Sequence, residues 1–160
     1  MAGPEGAAFC ASVLMVLQDI PIDMACHYTA DTCPWGLFDS YGVPNKNFYT
    51  FVAFRQLLDT PHRVRCEGVP ADDSMAICAG VSEDRKAAAF LLSNFRARDK
   101  TFAVTLRNLP WNGDARLEFF AVDETHDFAL ARQDAVKTEK LVVSLEAPAP
   151  SVIFVRVRQP

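Results

Sequence analysis

The 160-residue sequence lacks the features that mark a nucleic-acid-binding or membrane protein. Its net charge is -4, so the sequence predicts no basic surface for nucleic acid or for an anionic membrane. No apolar run reaches the roughly 20 residues that are needed to cross a bilayer. Residues 7–17 come closest, but no basic region precedes them and no clear cleavage site follows, which argues against a signal peptide.

Cysteine patterns and nucleotide-binding motifs are also missing. The five cysteines include no CxxC pair and no histidine at zinc-finger spacing, and their odd number argues against a complete disulfide framework. We therefore predict reduced structural thiols and no metal site. The sequence has no GxSxG, P-loop or dinucleotide-binding glycine pattern, and we expect no cofactor. These absences leave the cellular compartment open.

Two helices are predicted in the first 65 residues. Residues 4–18 form the first, because Pro4 suits an opening turn whose N–H groups have no partner. Ser12 is the only polar residue within positions 7–17, so this helix is expected to be buried on most sides. Residues 45–58 predict the second helix, with Asn45 as its N-cap and a wide apolar face.

Between the helices, residues 22–28 are short and mostly apolar, which predicts a strand covered on both faces. A strand between two helices is a piece of parallel α/β architecture and must bond to neighbouring strands. Residues 1–65 offer no second such strand, and each unpaired buried backbone group costs about 1–3 kcal/mol. Either this strand joins a sheet formed later in the chain, or the chain is the C-terminal part of a longer protein. The apolar first helix favours the longer protein.

After a connector at residues 61–65, short strands and turns dominate the sequence. Alternation is clean where Phe102, Val104 and Leu106 share one face. Regular short strands separated by turns predict an antiparallel β-sandwich. The predicted strands are residues 75–80, 86–93, 101–107, 116–123, 139–145 and 151–157.

The residues also resemble a known pattern. The stretch from Asp23 to Leu57 contains, in order, Asp23, Ala25, Tyr28, Ala30, Trp35-Gly36-Leu37-Phe38-Asp39, Gly42, Pro44, Lys46, Phe48-Tyr49, Phe51, Ala53-Phe54 and Leu57. Further along come Thr60-Pro61, Arg63-Val64, Leu91-Leu92-Ser93-Asn94, Val122-Asp123, His126 and Pro150-Ser151-Val152. This order resembles the C-terminal region of clan-A glycoside hydrolases, especially the family 39 β-xylosidases and α-L-iduronidases. The sequence departs from the pattern at His27-Tyr28, where two aromatic residues are usual, and at Cys33-Pro34.

The resemblance implies an α+β fragment in two parts. Residues 1–65 would be the C-terminal remnant of a (β/α)₈ TIM-type barrel, with its helix, strand and helix, and residues 66–160 an accessory antiparallel β-sandwich packed against the barrel. The full protein would be a retaining glycoside hydrolase acting on β-xylosides or related glycosides. The resemblance places both catalytic carboxylates upstream of this chain, so no catalytic residue is assigned here and the chain alone is expected to be inactive.

The loop after the predicted strand supplies the candidate substrate contacts. In such barrels it opens at the active-site face, so Tyr28, Asp31 and Trp35 are candidates for binding a carbohydrate. An aromatic ring can stack on a sugar ring, and a carboxylate can accept hydrogen bonds from hydroxyl groups. The alternative for Trp35 and Phe38 is packing over the second helix, and for Asp31 the capping of a turn. His27 is interpreted as structural.

Two other groups of polar residues favour structural interpretations. Asp123, Glu124, His126 and Asp127 could suggest a metal site, but a solvated turn after a strand is the better interpretation. His62, Arg63 and Arg65 form a basic spot that predicts a salt bridge between the two parts.

Two rival interpretations remain open. Residues 66–160 could belong to a non-catalytic carbohydrate-binding or surface interaction module, which a row of exposed aromatic side chains on the sandwich would support. The chain could also be a self-contained α+β protein in which residues 22–28 form the edge of the sheet.

Overall fold

The computed structural model describes residues 2–70, 72–138 and 141–159. Two α-helices, α1 (Pro4–Val16) and α2 (Lys46–Gln56), each continue into a short 3₁₀ turn, Leu17–Asp19 and Leu57–Asp59. The strands within the described ranges are β1 (His62–Val64), β2 (Met75–Val81), β3 (Ala87–Asn94), β4 (Thr101–Leu106), β5 (Asp114–Val122), β6 (Asp127–Lys137), β7 (Leu141–Glu146) and β8 (Ser151–Arg158).

The strands form two antiparallel sheets. Six of them pair in the order β1-β2-β3-β8-β5-β6, and β4 pairs with β7 in a second, two-stranded sheet. Side chains of one strand alternate between the two faces of a sheet, so β3 contributes Phe90 to one core and Leu91 to another. The first core lies between the two sheets, and the second lies between the larger sheet and the helices. The fold therefore has three layers: helices, large sheet and small sheet.

Small side chains allow helix α1 to pack closely. Ala7, Ala8 and Ala11 are fully buried, and Ala53 of α2 is fully buried as well. Because alanine keeps the helices close, Thr50 Oγ1 of α2 reaches the Ala7 carbonyl of α1 and donates a hydrogen bond of 3.2 Å. On the sheet side, Ser93 Oγ donates to the carbonyl of Ala8 at 2.7 Å. These bonds fix α1 between α2 and strand β3.

The opposite face of α1 is apolar and open to solvent. Phe9, Val13 and Val16 are 45%, 39% and 56% exposed. These positions are four and three residues apart, so they share one face of the helix. The prediction that this helix is buried on most sides is therefore wrong for this chain, because α2 and the sheet cover only the alanine face.

The strand predicted at residues 22–28 is not formed. Residues 20–37 have neither helix nor strand, and a single bridge joins Phe38 to Pro44 later in the same loop. Residues 22–28 are exposed, so water can satisfy backbone groups that no described strand pairs with. The interpretation in which this segment forms the edge of the sheet is wrong for the same reason.

The other element predictions are mostly confirmed. Asn45 caps α2, since its Oδ1 accepts hydrogen bonds from the backbone N–H groups of Asn47 and Phe48 at 2.9 and 3.3 Å. Strands β2, β3, β4, β5 and β8 match predicted strands, with ends shifted by one or two residues. The strand predicted at 139–145 corresponds to β7, and its positions 139 and 140 lie outside the described residues.

Two strands were not predicted. Strand β1 lies within the connector at residues 61–65 and pairs with the end of β2. Strand β6 is an edge strand bonded only to β5, and most of its residues are exposed. An edge strand that is exposed along most of its length has little need for an alternating apolar pattern, so its sequence carries no clear strand signal.

Candidate functional site

The candidate site is the loop of residues 20–45, which connects α1 to α2. His27 anchors its base, because His27 Nε2 donates to the carbonyl of Trp35 at 3.1 Å. The His27 ring also lies edge-on to Phe51 of α2, with ring centroids 5.1 Å apart. The two contacts tie both ends of segment 27–35 to each other and to the helix. His27 is thus a structural residue, as the sequence predicts.

A tight turn shapes the middle of the loop. Asp31 Oδ1 accepts a hydrogen bond from the Thr32 backbone N–H at 2.7 Å, so the carboxylate caps its own turn. The N–H of Gly36 donates to the Cys33 carbonyl at 2.8 Å. Gly36 is buried against the Asp31 carbonyl, and a Cβ at this position would overlap that oxygen. Glycine is therefore required where the turn closes.

The last part of the loop is a small hairpin attached to α2. Asp39 Oδ1 accepts hydrogen bonds from the backbone N–H groups of Tyr41 and Val43 at 2.8 and 2.9 Å. Asn45 Nδ2 donates to the Gly36 carbonyl at 2.7 Å, which joins the hairpin to the helix cap. Phe38 contacts Phe48 of α2 with ring centroids 5.4 Å apart. The packing interpretation of Phe38 is thus confirmed.

The three predicted substrate-binding residues all lie on the solvent side of this loop. Tyr28 is 80% exposed and Trp35 is 55% exposed, and Asp31 is exposed as well. The hydrogen bond between His27 and Trp35 brings the backbone next to Tyr28 close to that of Trp35. Asp31 serves the turn, but a carboxylate accepts about four hydrogen bonds, so it retains capacity for another donor.

One exposed aromatic residue was missed from the sequence. Tyr41 is 90% exposed at the tip of the hairpin. The signal that could have revealed it is the turn sequence that follows Asp39, in which Gly42 adopts a φ of 77°. Chemically, the loop presents three aromatic rings and the carboxylates of Asp23, Asp31 and Asp39 to solvent. This combination can bind a ring with one apolar face and hydroxyl groups at its rim.

The turn between β5 and β6 is held by hydrogen bonds to its own aspartate. Asp123 Oδ1 accepts hydrogen bonds from the backbone N–H groups of Thr125 and His126 at 2.8 and 2.9 Å. Asp127 forms an ion pair of 2.8 Å with Lys46 at the start of α2. Within the described ranges, no group of three or more potential metal-binding side chains occurs. The interpretation as a solvated turn therefore agrees with the structure.

The electrostatics of this turn centre on Asp123. Burial alone would raise its pKa, but the hydrogen bonds from the Thr125 N–H and from His126 together hold the pKa of Asp123 below its usual range. The ionised carboxylate thus stabilises the turn that receives Lys46 of α2.

The basic residues of the connector form ion pairs. His62 Nε2 lies 2.8 Å from Glu83 in the turn between β2 and β3, and Arg63 lies 2.9 Å from Asp19 after α1. Each pair links strand β1 to a different element. The basic spot thus has acidic partners as predicted, but the Arg63 ion pair lies within residues 1–65, and only the His62–Glu83 contact reaches the later part of the chain.

Comparisons with known proteins show which solved structures share this fold. No protein-family model matches the chain, and no curated protein sequence matches it. Among solved structures, a glucosidase from Croceicoccus marinus matches with a TM-score of 0.86 and 21% identity, over 98% of this chain and 42% of the glucosidase. A family 30 subfamily 8 xylanase from Clostridium acetobutylicum matches with a TM-score of 0.74 and 12% identity, over 99% of this chain and 40% of the xylanase.

A third match is a bifunctional glucanase-xylanase from a metagenome library, with a TM-score of 0.67, 16% identity and coverage of 99% of this chain and 29% of that protein. The chain has a fold that occurs within glycoside hydrolases. It spans less than half the length of these structures. Among the described residues, no helix is both long and apolar enough to cross a bilayer.

Proposed function

We propose that this chain is the C-terminal part of a retaining glycoside hydrolase that acts on β-xylosides or related β-glycosides. The observation that carries the proposal is the match of nearly the whole chain to part of a glucosidase and part of a xylanase. Glucosides and xylosides differ by one hydroxymethyl group on the sugar ring. A site built for one of them is therefore a reasonable starting point for the other.

In this proposal, residues 1–65 complete a barrel and residues 66–160 form an accessory sandwich. The exposed apolar face of α1 supports the first part, because Phe9, Val13 and Val16 would pack against preceding barrel helices. Burying a side chain of this kind contributes about 1.5–3 kcal/mol. The sandwich would pack against the barrel through the core that it shares with α1 and α2.

Both catalytic carboxylates would lie upstream of this chain. A retaining mechanism needs two carboxyl groups about 5–5.5 Å apart, one as acid/base and one as nucleophile. Two carboxylates of the loop, Asp31 and Asp39, accept hydrogen bonds from backbone N–H groups of their own turns. This use of the two carboxylates supports a binding role for the loop and a catalytic role for residues elsewhere.

In the binding role, the rings of Tyr28 and Trp35 would stack on sugar faces and Asp31 would accept a hydrogen bond from a hydroxyl group. Both rings are exposed on a loop held by His27 and Gly36, so little conformational entropy would be lost on binding.

Two measurements on the intact polypeptide that contains this chain test the proposal. Proton NMR of the first sugar released from an aryl β-xyloside should show the β-anomer, as expected for retention, and the α-anomer would contradict the mechanism.

The variant Trp35→Ala should lower kcat/KM about tenfold through a raised KM, whereas Trp35→Phe should retain most of the activity because it keeps a ring. An unchanged kcat/KM in Trp35→Ala would show that Trp35 does not contribute to substrate binding.

The sandwich itself has no row of exposed aromatic side chains to support a separate binding module. In the described ranges, the exposed aromatic residues are Phe9, Tyr28, Trp35 and Tyr41, all within the first 45 positions. The surface of the sandwich therefore favours a structural role over carbohydrate binding.

A further inference from the structure

Two cysteines meet where the connector joins the large sheet. Strand β1 ends at Val64, which pairs with Ala79 of β2. Two residues later, the Cys66 thiol turns back to this pair: its Sγ lies 3.8 Å from the Val64 carbonyl and beside the backbone N–H of Ala79. Cys78 directly precedes Ala79 and is only 6% exposed. Cys66, two residues after β1, and Cys78 of β2 thus both lie next to Ala79.

The surroundings of the two thiols indicate that they share one environment. The ion pair between Arg63 and Asp19 acts on both. Burial raises the pKa of the Cys66 thiol, the neighbouring Cys78 thiol raises it further, and the Arg63 guanidinium lowers it. Burial likewise raises the pKa of Cys78, against the lowering effect of Arg63. Cys66 and Cys78 thus lie near the same Arg63–Asp19 ion pair.

Access to the pair differs between the two residues. Cys66 lines an open cleft of about 530 Å³ together with Met15, Arg63, Val69 and Met75. Cys78 does not line this cleft and belongs to the core between the large sheet and the helices. A small reagent would therefore reach Cys66 first and Cys78 only through Cys66. The remaining cysteines are more remote in sequence, at positions 10, 26 and 33.

We propose that Cys66 and Cys78 form a reversible disulfide that fastens the connector to strand β2, with a low-molecular-weight disulfide as the oxidant. The Cys66 thiolate attacks one sulfur of glutathione disulfide, forming a mixed disulfide and releasing one glutathione. The Cys78 thiolate then attacks Sγ of Cys66 and releases the second glutathione. In total, two thiols lose two electrons and two protons, and glutathione disulfide is reduced to two glutathione molecules. The bond closes residues 66–78 into a loop.

The sequence makes the test simple, because no lysine or arginine lies between Arg65 and Arg85 and both thiols fall in one tryptic peptide. The reduced 160-residue chain is incubated with excess glutathione disulfide at about pH 8.5, where more thiolate is present, then alkylated and digested. The proposal predicts that the peptide 66–85 is about 2 Da lighter than its reduced form and carries no alkyl group. After reduction it should take up two alkyl groups.

Variants identify the partners. Cys66→Ser and Cys78→Ser should each abolish the lighter peptide, and the matched control Cys33→Ser should leave it unchanged. Two alkylated thiols in peptide 66–85 after oxidation would overturn the proposal. A stable glutathione adduct on Cys66 in the wild-type chain would also overturn it, because Cys78 would then have failed to displace glutathione. A link from either residue to Cys10, Cys26 or Cys33 would do the same.

Discussion

At the scale of single residues, one buried polar side chain holds two segments of the fold together. Asn94 at the end of β3 is fully buried. Its Nδ2 donates to the carbonyls of Ala147 and Asp99 at 2.7 and 3.2 Å, and its Oδ1 accepts from the Ala97 N–H at 2.9 Å. One side chain thus fixes the turn after β3 and the segment that precedes β8.

We expect Asn94→Ala to lower the free energy of unfolding by about 2–4 kcal/mol, because it leaves the buried Ala147 carbonyl without its partner and removes two partly buried hydrogen bonds to Ala97 and Asp99. Urea denaturation followed by circular dichroism measures this change. The exposed Asn112 is the control, and Asn112→Ala should stay within about 0.5 kcal/mol of the wild type. Equal effects of the two substitutions would contradict the role given to Asn94.

Asp123 predicts a dependence of stability on pH. Since its pKa is lowered in the folded state, its contribution is present above the pKa of the unfolded chain and is lost as the pH falls through the folded pKa. Asp123→Asn keeps the shape of the side chain but does not titrate. The drop in unfolding free energy from pH 7 to about pH 3 should therefore be smaller in this variant than in the wild type.

Other carboxylates also contribute to the acid sensitivity of the wild type, since hydrogen bonds from Ser74 and Ser82 lower the pKa values of Asp72 and Asp84. Only the difference between the variant and the wild type reports on Asp123. The neighbouring Glu124→Gln is the control and should behave as the wild type. A variant Asp123→Asn with the same pH profile as the wild type would show that the turn does not depend on this charge.

At the scale of elements, helix α1 was predicted correctly from the sequence, but the extent of its burial was not. Its apolar residues run round the helix, but only the face with Ala7, Ala8 and Ala11 is covered, whereas Phe9 and Val13 remain exposed. The sequence tells how apolar a helix is, but not which of its faces this chain can cover. The structure adds that the covered face carries mostly alanine and glycine, together with Met15.

This arrangement makes the two faces of α1 respond differently to a larger side chain. Ala11→Leu forces extra volume between α1 and its neighbours and should lower the free energy of unfolding by about 1–3 kcal/mol or more. Val13→Leu, on the exposed face of the same helix, should change it by less than about 0.5 kcal/mol. Thermal and urea unfolding of both variants compare the faces directly. A larger loss of unfolding free energy for Val13→Leu than for Ala11→Leu would show that the alanine face is not the packed face.

Strands were predictable where apolar residues alternate, as in β4, or fill most of the strand, as in β3 and β8. In β4, Phe102, Val104 and Leu106 alternate with exposed residues, and the strand forms as predicted. Strand β6 was missed, because it lies at the sheet edge and is exposed along most of its length. The strand at residues 22–28 was predicted from an apolar run, but a strand needs bonded neighbours that the described residues do not provide.

At the scale of the whole molecule, the three-layer fold and the exposed loop give one consistent account. The fold occurs within glycoside hydrolases, and this chain spans less than half of the matching structures. The resemblance to glycoside hydrolases could be found from the sequence because it depends on turn residues such as Gly36 and Asp39. The loop needs these residues for its own shape. The exposure of Tyr28 and Trp35 could not be read from the motifs, since it depends on which surfaces other elements cover.

The central proposal is that this chain belongs to a glycoside hydrolase whose reactive carboxylates lie outside these 160 residues. The most direct test is the rate at which the purified 160-residue chain hydrolyses para-nitrophenyl β-xyloside and β-glucoside, compared with the intact polypeptide that contains it. The account predicts turnover by the intact polypeptide and no rate above buffer for the 160-residue chain. Hydrolysis by the chain alone, or an intact polypeptide that cleaves neither glycoside, would contradict it.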